Sequence, residues 1–257
     1  MGGKQKLALH IAGKIDGIQH KCYAEPFCGM ASVFFRRERR PSSELLNDIN
    51  GDVVNLFRVV KEHQDEFLRL LDWMLASRKD YDRLVDTPPE TMTDIQRAAR
   101  FLYMQNMKFG GKVFGNTGIN FGPHSMHPFR RDRMAEKVRA GHERLQGVTI
   151  ENLHWDQFIE RYDRSFTLFY IDPPYWGHTK DYGKGLFSEE DIRRMAELLR
   201  SIKGRFILSL NDREEVRDVF SGFRIEGIMA RWSLNPKRER VGEVLISNVD
   251  LEGLEAP

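Results

Sequence analysis

TLFYIDPPY, residues 167–175, joins a five-residue hydrophobic stretch to an acid, two prolines and a tyrosine. Thr167 to Ile171 predict a buried strand, because the stretch is short and rich in β-branched and aromatic residues. The prolines end this strand, since each lacks an amide donor and has a fixed φ. A rigid turn is therefore expected to hold the Asp172 carboxylate and the Tyr175 ring at the strand's end.

Six further short apolar runs alternate with helical patterns, which is typical of an α/β sheet. The runs span residues 21–27, 44–49, 148–153, 205–210, 223–231 and 243–249. Residues 188–202 predict a helix with Ser188 as N-cap and three acids in the first turn, which the helix dipole favours. Residues 212–220 predict a shorter helix.

Residues 52–147 differ from the rest, because they are mainly helical by pattern with one glycine-rich break at 109–123. We interpret them as an insertion between the second and third strands. The predicted organisation is therefore an α/β domain formed by 1–51 and 148–257, with 52–147 as an inserted subdomain.

Composition excludes several classes of protein. The 257 residues carry 40 Lys and Arg against 38 Asp and Glu, so the net charge is 40 − 38 = +2 and any nucleic-acid contact must come from local patches. Cys22 and Cys28 are too few for a disulfide framework, so a reducing cytoplasm is the expected compartment. No apolar run approaches the roughly 18 residues of a membrane span. His124 and His127 have no nearby Cys or acid, so we expect no metal site.

The first predicted strand leads into EPFCGMASVFF, residues 25–35, where a turn at Gly29 precedes a helix-compatible stretch. Ligands approach the backbone at such junctions, at the carboxyl end of a parallel strand. The second strand ends near Asp48, about 20 residues on, where an acid commonly bonds the ribose of an adenosyl cofactor. Two simpler readings stay open: a plain strand-to-helix turn, and Asp48 as a helix cap. Asn50 would also serve as that cap and leave Asp48 available.

The Asp172-Pro173-Pro174-Tyr175 turn suits recognition of a planar amino group. The Asp172 carboxylate and the Pro173 carbonyl offer two acceptors for its two N–H bonds. Such bonds would draw the amino nitrogen of adenine towards tetrahedral geometry, localise its lone pair and disperse the positive charge that develops. Tyr175 offers a ring on which a base stacks. The simpler alternative is a Pro-Pro turn with a capping acid.

The motifs EPFCGMASVFF, NDIN and DPPY, with an insertion between the last two, resemble those of the Dam-like DNA adenine methyltransferases. Gly2-Gly3-Lys4 is similar to the family's opening motif, 97–105 to the helix before its recognition hairpin, and 243–248 to its last strand. The resemblance implies a Rossmann-like class I methyltransferase sheet in 1–51 and 148–257, which binds S-adenosylmethionine and carries catalysis. It implies target recognition by 52–147.

The resemblance also implies the sites. S-adenosylmethionine would be the methyl donor and a flipped adenine in double-stranded DNA the acceptor. The implied cofactor-binding residues are Lys4, Phe27, Gly29, Asp48, Asp156 and Asp172, and the catalytic ones Asp172, Pro173, Pro174 and Tyr175. Phe109 and Lys112 match the family's base-contacting hairpin. A basic cluster that begins at Arg130 and Arg131 is expected to contact phosphates, although a solvated helix face is the default reading.

Two departures from the family pattern keep alternatives open. Ala31 replaces the second glycine of the first motif, and Phe114 stands where GATC-reading members carry an arginine, so GATC recognition is not expected. The lost glycine leaves open an inactive DNA-binding relative, and the same two-acceptor turn leaves open a methyltransferase acting on RNA or on a protein glutamine amide. We expect a cytoplasmic monomer encoded by a bacterium or phage. A separate cognate restriction endonuclease stays open as a partner.

Overall fold

The computed structural model describes residues 2–75, 77–107, 130–177, 187–228 and 242–254. Within these residues seven strands form one sheet. They are β1 (Cys22–Glu25), β2 (Ser43–Asn47), β3 (Thr149–Glu151), β4 (Thr167–Ile171), β5 (Arg205–Asn211), β6 (Arg224–Ile228) and β7 (Glu243–Ser247). All seven lie inside or within two residues of the predicted runs, and positions 229–231 of the predicted sixth strand lie outside the described residues.

The sheet has the order β3-β2-β1-β4-β5-β7-β6. β1 pairs in parallel with β2 and β4, and β4 pairs in parallel with β5. β7 runs antiparallel to both β5 and β6. The chain builds outwards in one direction from β1 and in the other from β4, so the carboxyl ends of these two strands flank the switch point where open α/β sheets bind ligands. The predicted Rossmann-like fold is confirmed.

The helices of the described residues are α1 (Gly2–Gly17), α2 (Gly51–Glu62), α3 (Gln64–Asp72), α4 (Arg78–Asp86), α5 (Asp94–Met107), α6 (Arg131–Arg144), α7 (Trp155–Tyr162), α8 (Glu189–Ser201) and α9 (Glu214–Val219). Short 3-10 helices span Phe34–Arg36 and Pro89–Thr91. None of the helices in the described ranges is long and apolar enough to cross a membrane.

The chain divides into two compact units, one formed by 1–49 and 151–257 and the other by 50–150. In the first unit, one apolar cluster joins the sheet to its helices through Phe169 of β4, Phe206 of β5, Phe158 of α7 and Ile192 of α8. Each of these four side chains is fully buried. Burial of such a side chain stabilises the fold by about 1.5–3 kcal/mol.

The start of α8 follows the predicted capping pattern. The Ser188 hydroxyl accepts from the Asp191 backbone N–H, and the Asp191 carboxylate accepts from the Ser188 backbone N–H, so both donors at the helix start are satisfied. The helix-compatible stretch after Gly29 forms only the 3-10 helix Phe34–Arg36, because Arg37 returns to extended backbone with ψ of 136°.

The second unit is mainly helical in its described part. α2 packs with α5 and α6, and the Asn55 amide of α2 donates to the Asp94 carbonyl at the start of α5 at 2.8 Å. Asp52 and Arg97 form an ion pair of 2.5 Å between the same two helices. Polar contacts therefore fix the relative placement of α2 and α5 around their buried apolar faces.

Candidate active site

The turn after β1 is tied to the end of β2 by two hydrogen bonds. The Cys28 amide donates to the Asn47 carbonyl at 2.9 Å, and the Gly29 amide donates to Asp48 Oδ2 at 2.8 Å. Gly29 has a φ of +49°, and a Cβ added to it would meet no atom within 4 Å. The backbone is therefore open to close approach at Gly29, beside the Asp48 carboxylate.

The question of which residue caps α2 is answered by the structure. The Asn50 side chain accepts from the Asp52 amide at 2.9 Å, so Asn50 is the N-cap. The carboxylate of Asp48 instead accepts from Gly29, and its side chain remains partly exposed. The reading in which Asp48 caps the helix is thus wrong.

Ala31 occupies an unusual backbone conformation, with φ of +52°. A left-handed conformation costs a non-glycine residue about 1–2 kcal/mol. The Ala31 amide donates to the Cys28 carbonyl at 2.6 Å and its side chain is fully buried, so the surrounding turn holds the residue in place. Ala31 therefore adopts the left-handed backbone conformation that glycine usually occupies.

The Asp172 carboxylate is held directly after β4. Ser209 of β5 donates to Asp172 Oδ1 at 3.0 Å, and the Tyr170 hydroxyl lies 3.1 Å from the Ser209 hydroxyl. Asp172 is exposed, whereas Pro173 and Pro174 are buried. An exposed carboxylate thus stands on a rigid, buried turn and is oriented by a hydroxyl of the neighbouring strand.

The two residues that follow the prolines are fixed by the ends of β5 and β7. The Tyr175 hydroxyl donates to Glu243 Oε1 at 2.5 Å. The Asn211 amide group bonds the Trp176 backbone twice, accepting from its N–H at 3.0 Å and donating to its carbonyl at 3.1 Å. The register pairs Asn211 with Glu243, so both contacts come from one end of the β5–β7 pair.

A buried acid lies behind this turn, at the end of β1. Glu25 is 2% exposed, and Tyr23 donates to its Oε1 at 2.6 Å. Burial raises the pKa of Glu25 to about 8; the Tyr23 hydrogen bond and the Arg37 charge oppose the rise, and the Asp172 charge adds to it. Glu25 is therefore largely protonated at neutral pH, which limits the negative charge beside Asp172.

Asp156 lies in the first turn of α7 with its carboxylate already bonded. His154 Nδ1 lies 2.6 Å from Oδ1, the Gln157 amide donates to the same oxygen at 2.7 Å, and Arg194 forms an ion pair with Oδ2. Burial alone would raise the pKa of Asp156, but the hydrogen bonds from His154 and Gln157 and the Arg194 charge leave it lowered. A ligand at Asp156 would compete with these partners.

A comparison of the sequence with known families identifies the family of this chain. The family model described as D12 class N6 adenine-specific DNA methyltransferase matches residues 1–234. This chain belongs to that family. Its reaction is methylation of the N6 amino group of adenine in DNA, and the predicted family and enzyme class are confirmed. The match is to a DNA enzyme, so the RNA, glutamine and inactive alternatives gain no support from it.

Relatives that align with this chain over most of their length are named as methyltransferases or as DNA adenine methylases. The chain is 26% identical to the type II methyltransferase M1.LlaDCHI of Lactococcus lactis subsp. cremoris, over 96% of this chain and 93% of the relative. It is 24% identical to the type II methyltransferase M.CviBI of Paramecium bursaria Chlorella virus NC1A, over 89% and 88%. A DNA adenine methylase of Haemophilus influenzae is 25% identical over 95% and 90%.

Two predicted cofactor residues remain, Lys4 and Phe27, and the structure describes the side chain of Phe27 but not that of Lys4. Lys4 lies in α1, and its side chain is not among the described ones. Phe27 is partly buried and makes an edge contact with the ring of Phe187, whose centroid is 5.5 Å away. Phe187 is 6% exposed, so it packs in the interior at the start of α8.

Of the four predicted DNA-binding residues, two are described by the structure and two are not. Phe109 and Lys112 lie outside the described residues. Arg130 pairs with Asp132, and Arg131 donates to the Asp72 carbonyl at 2.8 Å. Both arginines therefore have partners within their own unit, and phosphate contact by them stays a prediction.

Sequence reasoning missed the residues that support the turn. Ser209, Asn211 and Glu243 are each at most 2% exposed, yet each bonds a residue of the 172–176 segment. The sequence carried a signal, because all three are polar side chains in mainly apolar strands. Buried polar groups need partners, so such positions indicate a bonded site.

Proposed function

We propose that this methyltransferase uses S-adenosylmethionine as methyl donor and acts on an adenine flipped out of double-stranded DNA. The observation that carries the proposal is the exposed Asp172 carboxylate, fixed by Ser209 at the carboxyl end of β4. It directly follows β4, and the neighbouring strand β1 leads into the turn at Gly29, whose amide donates to Asp48. Open α/β sheets bind their ligands at such a switch point.

The cofactor would lie over the turn after β1. Gly29 fits this role because a ligand can approach its backbone without meeting a side chain. Asp48 would accept from the ribose hydroxyls, Phe27 and Gly29 would line the methionine part of the pocket, and Lys4 would also lie at the pocket. S-adenosylmethionine supplies an electrophilic methyl group. Asp156 would contact the adenine of the cofactor only after exchange with His154 or Arg194, which hold it here.

The target adenine would bind at the 172–175 turn. Asp172 and the Pro173 carbonyl would accept its two amino hydrogens, which localises the nitrogen lone pair. The carboxylate then stabilises the positive charge that develops on nitrogen during transfer. Tyr175 would stack on the base, an interaction worth about 1–3 kcal/mol in nucleic-acid grooves. Pro174 completes the rigid turn that keeps these groups in line with the donor, and such orientation is a large catalytic effect.

Double-stranded DNA is proposed as the substrate because the family acts on adenine in DNA and the inserted segment resembles the family's recognition segment; the target base would then be extruded from the duplex. Phe109 and Lys112 would contact bases, and Arg130 and Arg131 would contact phosphates from the unit formed by 50–150. We assign target recognition to that unit and catalysis to the other. We further propose a cytoplasmic monomer, with any cognate restriction endonuclease as a separate chain.

The experiment combines binding with transfer. Titration calorimetry measures S-adenosylmethionine affinity, and radiolabelled donor with duplex DNA measures transfer, with N6-methyladenine identified by mass spectrometry. Asp172→Ala should lower transfer at least about a hundredfold, the scale for loss of one transition-state contact, and leave DNA affinity nearly intact. Asp218→Asn, an exposed acid on α9, is the control. Absence of donor binding by the wild type, or a retained rate in Asp172→Ala, would refute the proposal.

A further inference from the structure

Tyr175 is bonded to a buried acid that no sequence motif assigned to the site. Its hydroxyl donates to Glu243 Oε1 at 2.5 Å, and Glu243 is 1% exposed at the first position of β7. Burial, with the charges of Asp172 and Glu243, raises the pKa of Tyr175 well above its ordinary value. The phenol therefore stays protonated and remains the donor in this hydrogen bond.

Glu243 is a buried acid at the start of a mainly apolar strand. β7 reads Glu-Val-Leu-Ile-Ser, every residue of it is buried, and the position opposite Glu243 on β6 is Ile228. Enclosing a carboxylate costs several kcal/mol unless it is well bonded. The hydrogen bond from Tyr175 is one contact that offsets this cost, and a hydrophobic residue at this position could not accept it.

The Tyr175 ring, which packs partly against the apolar cluster, is the part of the turn that the backbone contacts do not themselves fix. The Trp176 backbone that follows is held at both its N–H and its carbonyl by Asn211, and the two prolines before it have fixed φ. The second side-chain torsion of tyrosine is broad, so backbone restraint does not fix the ring plane. A bond to the hydroxyl, at the far end of the ring, does restrict it.

We propose that Glu243 is a positioning residue that sets the ring of Tyr175 for stacking on the target adenine. This inference rests on the proposed function, in which Tyr175 contacts the base. Glu243 acts through Tyr175, and its removal is expected to weaken binding of the extruded base. Binding of the methyl donor beside Gly29 and Asp48 is expected to stay unchanged.

A double-mutant cycle tests the coupling. Glu243→Ala and Tyr175→Phe should each raise the KM for duplex DNA about tenfold or more, the scale of a lost hydrogen bond to a charged group. The double variant should be no worse than the singles, because the proposed effect of Glu243 on the base passes through the Tyr175 phenol. Glu243→Gln keeps an acceptor oxygen and should restore most of the affinity. Fluorescence of 2-aminopurine at the methylated position, located beforehand by sequencing, reports stacking of the extruded base.

The alternative is that Glu243 merely stabilises the end of the β5–β7 pair. In that case the losses from Glu243→Ala and Tyr175→Phe multiply, and donor affinity falls together with DNA affinity; either result overturns the inference. If Glu243→Ala does not fold, Tyr175→Phe and Glu243→Gln decide, and a wild-type KM in Tyr175→Phe refutes the role. A wild type that binds donor and transfers nothing to DNA would refute the proposed function instead.

Discussion

Glu25 should make the stability of this methyltransferase fall as the pH rises. Its carboxyl group is buried at the end of β1, and its pKa is raised from 4.5 to about 8. Glu25→Gln removes the titration, preserves the shape and keeps an oxygen for the Tyr23 hydroxyl, which donates to Glu25 at 2.6 Å. The variant therefore isolates the cost of ionising this one group.

The sign follows from proton counting. Between pH 4.5 and about 8, the folded protein keeps a proton on Glu25 that the unfolded chain has lost. The unfolded state then binds fewer protons, so the free energy of unfolding decreases with pH. The contribution is fully present below pH 4.5 and is lost as the pH rises through this window. At about 1.36 kcal/mol per pKa unit, the loss between about pH 5.5 and about pH 8.5 is about 3 kcal/mol.

Urea unfolding at about pH 5.5, 7 and 8.5 measures this difference. Fluorescence of Trp155 and Trp176, both buried in the same unit as Glu25, reports its unfolding. Relative to the wild type, the free energy of unfolding of Glu25→Gln should increase by about 3 kcal/mol across that range. Glu160→Gln, at an exposed position of α7, makes the same charge change as a control. Parallel pH profiles for wild type and Glu25→Gln would refute the reasoning. Asp172→Asn should flatten the wild-type profile, because the Asp172 charge helps to raise the pKa of Glu25.

Two further predictions concern the supports of the site. Ser209→Ala removes the 3.0 Å hydrogen bond to Asp172 and should lower the single-turnover rate about tenfold with donor affinity unchanged; an unchanged rate would contradict the orienting role of Ser209. Asn50→Ala should cost about 1 kcal/mol of stability through the lost cap of α2, while Asp48→Asn should weaken donor binding measured by calorimetry. The reverse pattern would contradict the assignment of the cap to Asn50 and of the ribose contact to Asp48.

Local patterns predicted the elements whose stability is itself local. β4 has its predicted bounds, Thr167–Ile171, because the prolines that follow permit no continuation. α8 begins after Ser188 as expected, because the capping box that starts it involves only the four consecutive residues 188–191. The turn at Gly29 has the positive φ that glycine favours.

Elements that depend on distant partners could not be predicted in this way. The helix α1 contains Gly13 within it, which lowers helix propensity, and its contacts come from remote residues. Asp16 of α1 pairs with Arg37 at 3.3 Å, and Lys14 pairs with Glu226 at 3.1 Å. In the site, the bond between Tyr175 and Glu243 joins residues 68 positions apart, and no local pattern carries that information.

The antiparallel direction of β7 has a topological consequence for the evolution of the enzyme. Ile228 ends β6 and Glu243 begins β7, and the two residues are register partners at the margin where Tyr175 lies. Residues inserted between these two positions would extend from the end of the sheet at which Tyr175 bonds Glu243, and the strand pairings would not need to change. A change of length between β6 and β7 is thus one way in which relatives could alter the surroundings of Tyr175 while the strand order is kept.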